Sequence, residues 1–184
     1  MKFGAADNSA SPAGAHSPAV LFIGYGNLLR SDDGVGPAIV ARLAALFPDN
    51  PRCACLMPHQ LTPELAEHVA CVDRVVFVDA SVEQSAGQIR IRRLHPETAS
   101  ASPLGHSATP EAILALSQVL YHRAPRAWSI AVGVANLAVG DRLSPVVSRA
   151  ASRLCRRLTW RIRRWAAPVE NPLSHHKDGS HVCT

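Results

Sequence analysis

No stretch of the 184 residues is apolar for long enough to span a bilayer, and the chain opens without the basic-then-apolar pattern of a secretory leader. Both absences point to a soluble protein of the cytoplasm. Cysteine is sparse and odd in number, five residues at no regular spacing, which excludes a disulfide framework and indicates reduced thiols. Cys53-x-Cys55 lacks the CxxC spacing of a redox or zinc site; on a strand its side chains share one face, and the pair reads as core. No Ser-His-Asp or Cys-His arrangement is evident, so a covalent mechanism is not expected. The basic balance, a formal charge of +5, has no nucleic-acid motif beside it, and nucleic acid is not expected as a partner. The length suits one domain with a substantial core.

What is present is organised around one stretch, Leu21 to Pro37. The apolar run Ala19 to Ile23 reads as a buried strand, and Gly24 and Gly26 let the backbone turn sharply at its end. Ser31, Asp32 and Asp33 then precede a helix that begins near Val35 to Pro37, with Val40, Leu43 and Phe47 at helical spacing. A dinucleotide fingerprint is the competing reading, but Leu29 stands where its third glycine belongs. Two carboxylates would also oppose a pyrophosphate there. A cation suits this turn better. Asp32 can be understood as a helix cap; Asp33 is then in excess, because one capping acid is enough.

The remaining elements alternate. Arg52 to Met57 is a strand, and Thr62-Pro63-Glu64 opens a helix by N-cap, first-turn proline and dipole-favoured acid, with Leu65 and Val69 inward. His59, at the exit of that strand, either faces a site or bonds the turn. Val75 to Ala80 is a strand covered on both faces, and Asp79 ends its apolar run, where a charge needs a partner, a ligand or water. Gly87 to Leu94 alternates apolar and basic residues, as a charge-protected edge strand does. A long loop, His95 to Thr109, contains His106 beside Gly105 and leads into a helix striped by Ile113, Leu116, Leu120 and Tyr121. Trp128 to Val134 is the last strand. Ser144-Pro145 opens the last helix, striped by Val147, Ala151, Leu154, Leu158 and Trp165; its seven arginines, with no acid among them, read as a solvated face.

Residues 1–17 and 166–184 have the composition of disordered segments, leaving a domain over 18–165; His175, His176, His181 and Cys183 in the tail could bind metal only loosely. The order β-α-β-α-β-β-α-β-α predicts an α/β three-layer sandwich. Its sheet is twisted and mostly parallel, with one antiparallel edge strand and helices on both faces. Asp33, Asp79 and His106 come from separate segments that can meet at the carboxyl edge. Two carboxylates and an imidazole make a half-open donor set for a borderline divalent metal.

The stretch Gly24-Tyr25-Gly26-Asn27-Leu28-Leu29-Arg30-Ser31-Asp32-Asp33-Gly34-Val35-Gly36 resembles the signature of the hydrogenase maturation proteases. Val78-Asp79-Ala80 with Gly87 resembles that family's second acidic motif, and Gly105-His106-Ser107 before Thr109-Pro110-Glu111 its histidine motif. The resemblance runs from about Ala19 to Trp165. It implies an endopeptidase that removes the C-terminal extension of a nickel-iron hydrogenase large-subunit precursor. It further implies that Asp33, Asp79 and His106 form the site and contact nickel carried by that substrate rather than held by the enzyme. A monomer is expected. The turn Pro58-His59-Gln60-Leu61 lacks the acid and glycines common in the family, and the loop Ala135 to Gly140 lacks a proline. Two rival functions are a small nucleotide-binding enzyme and a non-catalytic nickel chaperone or scaffold.

Overall fold

The apolar runs become a single sheet. The structure, a computed structural model, describes residues 19–96 and 108–165. In chain order it contains β1 (Val20–Gly24), a 3-10 turn (Ser31–Gly34), α1 (Val35–Leu46), β2 (Cys53–Leu56), α2 (Leu65–Ala70), β3 (Arg74–Ser81), β4 (Ile89–Leu94), α3 (Pro110–Tyr121), β5 (Arg126–Gly133) and α4 (Pro145–Trp165). The strand order is β2-β1-β3-β5-β4, every pairing parallel except β4 with β5. This is the expected three-layer α/β architecture with its antiparallel edge. No helix among the described residues is long and apolar enough to cross a membrane.

Alternation along each strand feeds two cores. Val20, Phe22, Val76, Val78, Ile130 and Val132 meet α1 and α4 on one face. Leu21, Ile23, Val75, Phe77 and Ala127 meet α2 and α3 on the other. Phe22 and Phe77 are 0% exposed, and truncating either to Ala would cost about 3–5 kcal/mol. From β1 the chain passes through α1 to β2, then through α2 back across to β3. Right-handed crossovers in opposite directions put α1 and α2 on opposite faces. The carboxyl ends of β1 and β3 therefore flank a topological switch point, where open α/β sheets form their crevice.

Three local expectations are corrected. Asp32 caps no helix: neither the 3-10 turn nor α1 has a side-chain cap, and Gly34 holds the N-cap position of α1. The segment Thr62-Pro63-Glu64 is a turn rather than a first helical turn, and α2 starts at Leu65 with Glu64 in the cap position. In α3 the buried stripe is Ile113, Leu114 and Ser117, while Leu120 and Tyr121 are 57% and 42% exposed. The reason lies at the helix exit, where the Ser117 hydroxyl donates to the Arg123 carbonyl at 2.7 Å and His122 turns left-handed. A polar residue thus closes the inward face. Cys53 and Cys55 pack against the α1/α4 core, as expected. Trp165 stacks on Trp128, ring centroids 5.7 Å apart.

Candidate active site

The crevice begins with two glycines that no other residue could replace in this backbone. A Cβ on Gly36 would strike the carbonyl oxygens of Val78 and Tyr25, so its absence lets α1 press its first turn against β3. Gly26 has φ +136°, and a Cβ there would run into the Asp33 carbonyl. The turn after β1 consequently folds back over the residues preceding α1. Asn27 N–H donates to Asp33 Oδ2 at 2.9 Å and fixes that carboxylate at the mouth of the switch point. Gly26 N–H donates to the carbonyl of His59 at 3.2 Å. His59 therefore supports the turn through its backbone, with its side chain exposed on the rim.

Asp79 reaches the same place from β3. Gly24 pairs with Val78, so the next residues, Tyr25 and Asp79, stand side by side. The Tyr25 hydroxyl donates to the Asp79 carboxylate. Burial pushes Asp79 up to about 6, a rise opposed by the bonds from Tyr25 and the Ala80 N–H and reinforced by the charge of Asp33. Burial also raises the Tyr25 phenol well above its usual range, with the Asp79 charge and the bond to it adding to the effect. Tyr25 thus stays a neutral donor. Glu111, in the first turn of α3, adds its own negative field to Tyr25 and is paired to Arg92 of β4 at 2.6 Å.

Asp32 lies one residue from Asp33 and belongs to different machinery. It is 0% exposed and accepts four hydrogen bonds: Ala135 N–H and Asn136 N–H at 2.9 Å, Ser144 N–H at 2.6 Å, and Ser144 Oγ–H at 2.9 Å. Burial raises its carboxyl, but the Ser144, Ala135 and Asn136 donors outweigh that and hold it below the usual carboxylate range. Further bonds knot the same two loops: Ser31 N–H to the Gly140 carbonyl at 2.8 Å, Asp32 N–H to the Asn136 carbonyl at 3.0 Å, and Gly140 N–H to the Leu29 carbonyl at 2.9 Å. The knot holds Ser31 at φ 48°, a left-handed conformation that a residue with a side chain adopts at some cost.

The structure brings Asp33 and Asp79 together; His106 lies outside the described residues. Two participants escaped sequence reasoning. Tyr25 looked like a turn residue between glycines, though its place directly past a strand beside Asp79 was a usable signal. Glu111 stands in the run Thr109-Pro110-Glu111, where nothing in the sequence marks it for the site. As donors the two aspartates offer hard carboxylate oxygens, and among the described residues no group of three or more His, Cys, Asp or Glu could hold a metal ion. Asp79 can accept and return a proton near neutrality, and the pair can add oxygen ligands to a metal brought by another molecule.

No protein-family profile matches the chain, and no curated protein matches it in sequence. Solved structures do match. The NiFe hydrogenase maturation protease HycI from Thermococcus kodakarensis KOD1 superposes with a TM-score of 0.63 at 20% identity, covering 80% of this chain and 93% of its own. The hydrogenase maturating endopeptidase HybD from E. coli gives 0.58 at 23% identity, covering 79% and 92%. A hydrogenase 2 maturation peptidase from a Thaumarchaeota archaeon gives 0.57 at 21%, covering 78% and 97%. The fold of the chain is thus the fold of the family whose motifs its sequence resembles.

Proposed function

We propose that the chain is an endopeptidase that removes the C-terminal extension of a nickel-iron hydrogenase large-subunit precursor after nickel has been inserted. The observation that supports this reading best is the pairing of Asp33 and Asp79 at the switch point of this fold, with Asp79 shifted to about 6. Peptide hydrolysis needs a proton removed from water as it adds to the carbonyl and a proton delivered to the departing amine. Asp79, poised near neutrality beside a second carboxylate, suits the proton transfers. Tyr25 holds its orientation, and the Asn27 N–H holds that of Asp33. Nickel belongs to the substrate in this account. Asp33, Asp79 and His106 meet it only when the precursor presents it, which makes cleavage conditional on a loaded precursor.

The test is incubation with a nickel-loaded precursor followed by intact-mass measurement. The expected result is a single truncation, lost in Asp33→Asn, Asp79→Asn and His106→Ala while each variant still folds and melts cooperatively. Chelator applied to the protease and then removed leaves the rate unchanged; the same treatment of the precursor, before its nickel is secured, blocks cleavage. An uncut precursor together with stoichiometric nickel on the isolated chain would favour the chaperone reading instead.

A further inference from the structure

The sheet ends at β4, whose outer edge pairs with no strand among the described residues. A six-residue free edge is a template for another strand, and natural edges are guarded by charge. Here the guard has one sign. Arg90, Arg92 and Arg93 are all exposed on β4, and among the described residues Arg92 alone of the three has an acid partner, Glu111. On the face toward α4, Ile89 forms one wall of a cleft of about 320 Å3 whose other lining residues are Arg153, Arg156 and Arg157. Arg153 Nη2 donates weakly to the Gly87 carbonyl at 3.5 Å, at the entrance to β4. Among the described residues, no acid forms an ion pair with the α4 arginines. The edge therefore repels a copy of itself and any basic strand, and it offers cations to both faces of a strand that carries carboxylates.

We propose that the free edge of β4 is a docking strip for an extended acidic peptide segment, which pairs with Ile89–Leu94 and sets alternate carboxylates against Arg153, Arg156 and Arg157. Side chains two apart on such a strand share a face, so one face meets the arginine cleft and the other meets Arg90. A nucleic acid fits less well. Its affinity for single-stranded sites draws on free aromatic faces. Trp128 and Trp165 are stacked on each other with Arg74 and Arg161 over Trp165, and the exposed Trp160 carries Arg164 over its ring at 5.2 Å. Arg90, Ala131 and Asp79 occupy one row across β4, β5 and β3, so the Arg90 end of the strip lies level with Asp79, two strands away. The inference goes beyond the proposed peptidase activity and does not depend on it.

The test measures binding to the intact chain by fluorescence anisotropy. The probe is a labelled six-residue peptide alternating valine with glutamate, matched to the length of β4. The expected results are saturable binding, loss of binding when alternate amides of the peptide are N-methylated, and weakening by added salt. Reversing all three charges (Arg153→Glu, Arg156→Glu, Arg157→Glu) should weaken it about tenfold or more and admit a lysine-containing counterpart, as charge complementarity across an interface requires. N-methylation alters only the probe, so that arm holds even if the triple variant folds poorly. The proposal is overturned if the peptide does not bind, if the N-methylated peptide binds equally well, or if an RNA oligomer of matched charge binds more tightly than the peptide.

Discussion

Asp32 and Asp79 stand at the same edge of the sheet, the first buried and the second half-buried, and their surroundings drive them in opposite directions. Asp32 receives four donors and is held below the usual carboxylate range. Asp79 receives the Tyr25 hydroxyl and the Ala80 N–H, faces the charge of Asp33, and is raised to about 6. Desolvation alone would raise both; the number of donors decides the outcome. The saturated carboxylate ties loops together and has no capacity left for chemistry. The undersaturated one carries an unfavourable charge that a proton, a metal or a substrate group would relieve. Asp32 and Asp33 are adjacent in the sequence, yet only the second opens toward Asp79.

The sharpest way to break this comparison is Asp32→Ala. It removes the carboxylate to which the N–H groups of Ala135, Asn136 and Ser144 donate, and each hydrogen bond to a charged group contributes about 1.5–3 kcal/mol. A loss of roughly 3 kcal/mol or more is expected in chemical denaturation at pH 7. Because the Asp32 pKa is lowered in the folded state, its contribution is present above the unfolded value and fades as pH falls. The penalty should therefore shrink in acid.

Asp79→Asn should do the reverse. A carboxyl whose folded pKa is raised favours the folded state fully below its unfolded value, near 4, and loses that contribution as pH rises through about 6. The amide mimics the protonated acid. The variant should be more stable than the parent by about 1–3 kcal/mol at pH 7.5, converging with it toward pH 4. Equal stability at both pH values would mean that Asp79 is well solvated. A smaller effect is expected from Tyr25→Phe, about 1 kcal/mol or less in stability, because one hydrogen bond to a group with a raised pKa is lost. Its diagnostic is a further rise of the Asp79 pKa, since the Tyr25 bond lowers it. An unchanged titration would remove Tyr25 from the site.

The fold was legible because its signals are local. Val75 to Ala80 reads as a two-faced buried strand from composition alone, and Asp79 stands out because a charge ends it. Asp33 was found by subtraction, as the second acid at a turn that needs only one. Asp32 was misread as a cap because its partners lie 103 to 112 residues away, and no local pattern announces such bonds. The same distance hid the purpose of the loop Ala135 to Gly140, which departs from the family pattern where it knots to Ser31 and Asp32. Tyr25 and Glu111 went unnoticed for a related reason. Their meaning comes from neighbours on β3 and β4, which only the strand register supplies. In α3, helical spacing marked the apolar residues, but the Ser117 bond that closes the inward face is tertiary.

The most direct test is a residue-resolved titration of the side-chain carboxyl carbons by NMR, with Asp32→Asn and Asp79→Asn used for assignment. The account predicts that Asp79 titrates at about 6 while Asp32 titrates below the usual carboxylate range. Both aspartates titrating together near the unperturbed value of about 4 would contradict it.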